Sequence, residues 1–329
     1  MHVIAKKFYK LSEKLFKTTR CYDENKITKR CYRLLDFVGQ KTQIMSDYTE
    51  GYYLDGENTD YELAQKYQID FILNAVCCGK DKTLLEVGCG NGRLLKEAEK
   101  RGARAVGITV CQEQVDLLRK EGLEVYLCDV RELEKQFTSN TFDAIVCNGS
   151  VEYYVKSKDV FNKTENVIYK TIFEKFYQVT KPNALIATTT IHFREKPSQA
   201  HRYFSADLKE FEYLSFDWRC AVLVQFYGGM YPTVNQLETC SKGFFEKIYE
   251  KDATRDYDLT SIEWKKRLMK GMRNPRKLFQ ILYGMYDLLK TDSYHCYISW
   301  LYFITGTWGW QFEGKSPPML HLWKVWKRV

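Results

Sequence analysis

The chain has 329 residues, with 50 Lys+Arg against 42 Asp+Glu, 45% hydrophobic residues and only 6 prolines. This is a globular composition, long enough for one large domain or a domain with a substantial cap, and it excludes disorder and collagen-like repeats. The net charge of +8 is too mild and too localised to carry nucleic-acid binding: residues 1–45 hold 11 Lys/Arg and 4 acids, and the remainder is close to neutral.

Eleven cysteines in so long a chain read as reduced, mostly buried small residues of a cytoplasmic protein. No C-x-x-C pair occurs and Cys77 and Cys78 are adjacent, which is poor spacing for zinc, so no metal is expected. Lys6 and Lys7 interrupt the apolar start before a secretory core can form. From Ser293 to Phe312 there is no Asp, Glu, Lys or Arg, over about the length a bilayer span needs. That stretch nevertheless holds His295, Gln311, two glycines and several hydroxyls, and it is aromatic. A buried helix followed by a turn, in a soluble protein, is the expectation.

In chain order, Phe8, Leu11 and Leu15, then Leu34, Leu35 and Val38, predict a helical start. A polar, tyrosine-rich stretch follows at 46–60, and residues 61–76 form an amphipathic pattern. From 83 the pattern alternates: strand 83–87, helix 93–101, strand 105–108, helix 112–120, then strands at 125–127, 142–146 and 184–190. Such alternation implies a parallel sheet with helices on both faces. After Thr190 it lapses into aromatics with a Gly228-Gly229 turn, then long helices over 261–304 and a strand from His321 to Trp326. The expected organisation is an N-terminal helical cap segment over 1–60, an α/β Rossmann-like core over 61–193, and a segment over 194–329 that supplies inserted cap helices and a final strand.

The sharpest motif is Leu84-Leu85-Glu86-Val87-Gly88-Cys89-Gly90-Asn91-Gly92-Arg93, a strand, a tight glycine turn and a helix. Glycine lets the backbone turn sharply and lets a ligand approach without meeting Cβ, and the helix start offers unpaired N–H donors. A dinucleotide site wants G-x-G-x-x-G and an acid about 20 residues on. Here the third glycine comes one position early, and the second strand ends Val106-Gly107-Ile108-Thr109 without an acid. NAD is therefore disfavoured, and E-x-G-x-G-x-G fits the S-adenosylmethionine loop of class I methyltransferases.

Several segments together resemble the cyclopropane-fatty-acid and mycolic-acid synthase family. They are Tyr48-Thr49-Glu50-Gly51-Tyr52-Tyr53, Ala64-Gln65, Ile69-Asp70, the glycine loop, and Gly107-Ile108-Thr109 through Gln114. Gly228-Gly229 with Pro232, and Tyr257-Asp258-Leu259-Thr260 leading to Trp264, resemble its later landmarks, so the similarity covers about 46–265. The resemblance implies a class I methyltransferase fold and S-adenosyl-L-methionine as cofactor. It places Tyr48 and Thr49 at the methionine end, Glu86, Gly88 and Gly90 in the cradle, and Thr109 and Gln114 on the ribose. Asp129 is then positioned for the adenine amino group, or serves as a helix cap.

The departures bear on chemistry. The family's cyclopropanating members place Cys where Glu50 stands, Glu-His where Glu152-Tyr153 stands, and His-Thr-Ile where Thr189-Thr190-Ile191 stands, with His192 displaced. Those positions help hold a bicarbonate ion in the family. A second carboxylate there should repel an anion, which speaks against cyclopropanation. Methyl transfer needs less: alignment of acceptor and methyl and, where required, removal of a proton. Glu50 and Glu152 are the candidates for that base or for holding a cationic acceptor, with Tyr257 and His192 behind them. Tyr52, Tyr53, Tyr153, Tyr154, Phe226, Tyr227, Trp308 and Trp310 wall an acceptor pocket or pack the core.

The expected activity is methylation of a small-molecule or lipid-like acceptor at carbon, nitrogen or sulfur. Cyclopropanation of an unsaturated acyl chain is the first alternative, and a non-catalytic cofactor- or lipid-binding protein the second. The basic N-terminus either docks an acidic carrier or membrane surface or is an ordinary solvated face; no nucleic-acid partner is expected.

Overall fold

The computed structural model describes residues 7, 10, 11, 13–45 and 47–329. Phe8 and Lys6 of the basic N-terminal segment lie outside those residues.

The alternating stretch folds as its pattern dictates. Strands β1 (Thr83–Val87), β2 (Arg104–Thr109), β3 (Glu124–Leu127), β4 (Phe142–Asn148) and β5 (Thr180–Phe193) are followed by β6 (Phe245–Asp252) and β7 (Met319–Arg328). They form one sheet in the order β3-β2-β1-β4-β5-β7-β6. β1 to β5 pair in parallel, and β7 enters antiparallel between β5 and β6. Successive residues of a strand face opposite sides, and the core divides accordingly. Leu84, Ala144 and Val146 join one cluster, with Leu94, Leu95 and Leu118. Leu85, Ile145 and Cys147 join the other, with Ile172, Phe173 and Phe176.

The helices follow local chemistry. α1 (Glu24–Asp36) is capped by Asp23, which accepts from the backbone N–H of Asn25 and Lys26. α2 (Tyr61–Ala75) is capped in the same way by Asp60. α3 (Arg93–Lys100) and α4 (Gln112–Lys120) flank the first strands, and α5 (Glu165–Val179) precedes β5. The later segment contributes α6 (Phe216–Tyr227), α7 (Thr254–Met272), α8 (Pro275–Thr291) and α9 (Ser293–Ile304), besides β6 and β7. Together with α1 these helices roof the C-terminal ends of the parallel strands. Arg30 of α1 is salt-bridged to the buried Asp292 at the start of α9, and Thr28 donates to the carbonyls of Tyr227 and Gly228.

The uncharged stretch 293–312 is a buried helix ending at Ile304, a turn at Gly306 and a helical turn at Thr307–Trp310. Among the described residues no helix is long and apolar enough to cross a membrane. Two elements depart from the sequence expectation. β5 is longer than 184–190 because its end pairs with β7 as far as Phe193. β6 was not visible in the pattern: it is an edge strand whose residues Phe245–Asp252 are mostly exposed and charged.

Candidate active site

A cavity of about 620 Å³ opens at the C-terminal ends of β1, β2 and β4 and runs beneath α1, α7 and α9. In open α/β sheets this is where ligands lie. Gly88 and Gly90 take φ of +79° and +51°. At Gly88 a Cβ would stand 2.8 Å from the Ser150 side chain, whereas at Gly90 it would meet nothing within 4 Å, because that face looks into open cavity. The turn after β1 is thus shaped for close ligand approach.

Around this cradle stand the residues expected to hold the cofactor. Tyr48, Thr49, Glu86, Thr109, Gln114 and Asp129 all line the cavity. The Tyr48 hydroxyl and Glu86 Oε2 are buried without a protein partner, which leaves them available to a ligand. Burial pushes the Glu86 carboxyl well above its usual range, against a backbone hydrogen bond from Leu95. Thr109 Oγ1 donates to Gln114 Oε1 at 2.7 Å. Gln114 faces Asp36 and favours its ionised form, while burial pushes that carboxyl up to about 6. Asp129 lines the cavity and also caps a helical turn, accepting from Arg131 N at 2.9 Å. At the other end Arg93 Nη1 binds Asp47 Oδ2 at 2.6 Å and Gln65 Oε1 at 2.9 Å. A guanidinium has five donors, more than these two acceptors use.

The far side of the cavity is built from carboxylates and aromatic rings. Glu50 Oε1 accepts from Gln68 Nε2 at 3.1 Å, and the same amide donates to Asn148 Oδ1 at 2.9 Å. Burial pushes the Glu50 carboxyl up to about 7 against these hydrogen bonds. His321 Nε2 stands 3.6 Å from Glu50 Oε1. Burial holds that imidazole neutral, with its pKa well below the ordinary value, so the two are neighbours and not an ion pair. Glu152 Oε1 accepts from Ile191 N at 2.7 Å, while Oε2 is buried with no partner. Burial pushes Glu152 up to about 8, and the charge of Glu50 adds to the rise.

The ring of Tyr257 lies 4.8 Å from His321 and 4.2 Å from Phe312. Tyr32 donates to Tyr153 at 2.7 Å, the hydroxyls of Tyr227 and Tyr302 share a hydrogen bond, and Trp264 stacks over Trp308. All of these except Phe312 line the cavity.

Of the four residues singled out for chemistry, Glu50, Glu152 and Tyr257 share this chamber and His192 does not. On β5, Ile191 lines the cavity. The alternation of the strand turns the next residue, His192, to the other face. There His192 Nδ1 bonds the Thr190 carbonyl at 2.9 Å, Nε2 lies 3.4 Å from Lys324 Nζ, and burial lowers the ring pKa to about 3. Among the aromatics, Tyr153, Tyr154, Tyr227 and Trp308 face the cavity. Tyr52 packs on Phe71 and Trp323, Phe226 stacks under Tyr302, and Trp310 meets Phe216; Tyr53 is likewise not a lining residue. Asp36, the Asp47–Gln65–Arg93 cluster and His321 escaped the sequence reading. Only Arg93, directly after the glycine motif, and Gln65, in one of the family-like segments, carried a signal.

The comparisons with known proteins agree with this fold. A ubiquinone biosynthesis O-methyltransferase of Serratia proteamaculans is 27% identical over 105 residues, 30% of this chain and 44% of that enzyme. The chain thus spans less than half the length of that curated relative. The cyclopropane synthase MmaA2 from Mycobacterium tuberculosis superposes with a TM-score of 0.64 at 17% identity, covering 92% of this chain and 97% of that one. Coclaurine N-methyltransferase, solved with N-methylheliamine and SAH, superposes with a TM-score of 0.63 at 15% identity, covering 99% and 94%. A family model described as mycolic acid cyclopropane synthetase matches residues 32–298, most of the sheet and its roof, and the chain belongs to that family.

Proposed function

We propose that the chain is an S-adenosylmethionine-dependent methyltransferase acting on a small-molecule or lipid-like acceptor, with a nucleophilic nitrogen as the favoured methyl-accepting atom. The observation that carries this reading is one cavity joining the Gly88–Gly90 cradle to a chamber that holds two buried carboxyls among aromatic rings. Gly90, Tyr48 and Glu86 present the open face and unpartnered polar atoms that the cofactor needs, and Thr109, Gln114 and Asp36 form a polar line for its ribose. Bound there, the cofactor supplies an electrophilic methyl on a sulfonium, which a lone pair can accept without further activation.

The rest is the work of the chain. The aromatic walls exclude water and offer ring faces to a cation. In this reading Glu152 takes the proton that a methylated amine must lose, which its buried, unpartnered Oε2 supports. A conjugate acid near 8 is well matched to that task. Gln68, itself bonded to Asn148, fixes the side chain of Glu50, which when ionised adds negative charge beside the ammonium that methyl transfer to a neutral amine forms. The eleven free cysteines support a reducing, cytoplasmic setting.

Methylene transfer to an unsaturated acyl chain is the second reading, and family membership favours it. Against it stands Glu50, where the resemblance places part of a bicarbonate pocket. The deciding experiment is product mass after incubation with cofactor and either amine, thioether or unsaturated-lipid acceptors, each with and without bicarbonate. Methylated amine formed without bicarbonate is the expected product. A bicarbonate-stimulated gain of one CH₂ across an alkene would overturn the choice.

A further inference from the structure

The near-neutral sum of residues 46–329 conceals a concentrated charge. Residues 264–286 carry seven Lys/Arg and no Asp or Glu. They span the end of α7, the corner at Asn274 and most of α8, where Asn274 caps α8 by accepting from the N–H of Arg276 and Lys277. The inward side of this hairpin is accounted for. Trp264 and Leu268 line the cavity, Gly271 lies against Ile44, and Gly284 lies so close to the Phe37 ring that a Cβ would stand 2.5 Å away.

The outward side is unusual. Phe279, Leu282, Tyr283 and Tyr286 fall at i, i+3, i+4 and i+7 of α8, and all four are exposed, Phe279 by 69% and Tyr283 by 57%. A solvated helix face carries polar residues at such positions. Met269 and Met272 extend the apolar surface onto α7. Lys265, Lys270, Arg273 and Arg276 are exposed around it and have no ion-pair partner among the described residues, unlike Arg267, which binds Glu62 and Glu263. Phe16 packs edge-on against Tyr286 with ring centroids 6.2 Å apart, continuing the surface to exposed Leu11 and Leu15.

An aromatic and aliphatic stripe rimmed by unpaired cations matches the boundary between anionic headgroups and acyl chains. A second copy would set one basic block against another. A nucleic acid would satisfy the cations and leave the apolar stripe in water. We propose that this face of α7 and α8 docks on an anionic lipid bilayer. On the methyltransferase reading, docking would place the membrane against the wall of the acceptor chamber, because Trp264 and Leu268 line the cavity from the same helix. The docking itself does not depend on that reading.

The test is co-sedimentation of the whole chain with phosphatidylcholine vesicles and with phosphatidylcholine–phosphatidylglycerol vesicles, at low and high salt, a readout that uses neither cofactor nor acceptor. Binding to the mixed vesicles, weakened by salt, is expected. Each basic side chain near such a surface is worth about five-fold in partitioning, so losing three of them costs about a hundred-fold, and the triple variant K270E/R273E/R276E, which also adds three repelled carboxylates, should weaken binding by at least that much. The double variant F279S/Y283S should weaken binding further at high salt, where the apolar term dominates. Circular dichroism melting shows whether either variant still folds. Phe279→Trp gives an independent reading: the emission it adds over the wild-type chain should shift to the blue on mixed vesicles. Pelleting no better with anionic than with neutral vesicles, unchanged binding by the charge-reversed chain, or no shift in that added emission would overturn the proposal. A tighter complex with RNA or with an acidic carrier protein than with vesicles, or a dimer abolished by F279S/Y283S, would also overturn it.

Discussion

Gly90 combines a left-handed backbone, φ +51°, with open cavity where its Cβ would be. Gly90→Leu therefore strains the turn and fills the ligand's space, and calorimetry should find no binding of S-adenosylhomocysteine. Gln114 accepts from Thr109 and faces Asp36, so Gln114→Ala leaves polar groups of the cavity wall unpaired and should weaken that binding by about 1–3 kcal/mol. Glu152 carries two pH dependences with opposite consequences. Its folded-state pKa of about 8 lies above the ordinary 4.5. The stability it contributes is therefore fully present below about 4.5 and lost as pH rises through about 8. The melting temperature should fall across that window, and Glu152→Gln should flatten the fall. Activity should move the other way: a base must be ionised, so kcat/KM should rise with pH through about 8, and Glu152→Gln should lose that limb. A wild-type pH–rate profile flat from 6 to 9 would remove Glu152 from proton transfer. At this scale the sequence disclosed what is contiguous. Gly88 and Gly90 belong to a local motif whose spacing places them, and Gln114 lies in a contiguous segment that the family resemblance picks out. Asp36 and His321 reach the cavity through helix docking and β7 register, which no local pattern encodes. His192 was misplaced by a single step of strand alternation.

Elements differ in how much of themselves they write into sequence. β1, β2 and β4 are short apolar runs with glycine or polar ends, and their pattern suffices because both faces are buried. β6 has one buried neighbour, β7, and an exposed edge, so its residues alternate charge and aromatics without an apolar run. The roof is harder still, since α6 and α9 are buried nearly all round and show no amphipathic period to read. Close approach between elements gives a sharper test. A Cβ at Gly229, just after α6, would stand 2.4 Å from the carbonyl oxygen of Glu152. Backbone cannot yield as a side-chain tip can, so Gly229→Ala should cost about 1–3 kcal/mol in calorimetric unfolding and, by displacing Glu152, lower turnover as well. Gly79, with ordinary φ and nothing within 4 Å, is the control: Gly79→Ala should change neither. Equal effects at both positions would mean that the contact between the α6 turn and the segment after β4 is not what holds Glu152.

The cavity at the strand ends draws on elements from along most of the described chain. Its walls come from α1, from the segment before α2, from the turns after β1, β2 and β4, and from the roof helices α7 and α9. A ligand there touches both sheet and roof and binds only the folded state, so it should stabilise the chain by about 2.7 kcal/mol at a hundred-fold excess over Kd. The distribution of that stabilisation is more informative than its size. Asp36 lies at the end of α1 and faces Gln114, which brings the roof against the residues proposed to hold the ribose. The salt bridge of Arg30 to Asp292 joins α1 to α9. Hydrogen exchange with S-adenosylhomocysteine should therefore slow not only at residues 88–92 and 109–114 but along Glu24–Asp36 as well. The edge strand Phe245–Asp252, none of whose residues lines the cavity, should exchange as before. Protection confined to the glycine turn would show that α1 does not close on the cofactor, and that Asp36 serves Gln114 alone. Protection spread evenly over the sheet would instead mark a global stabilisation in which the roof has no special part.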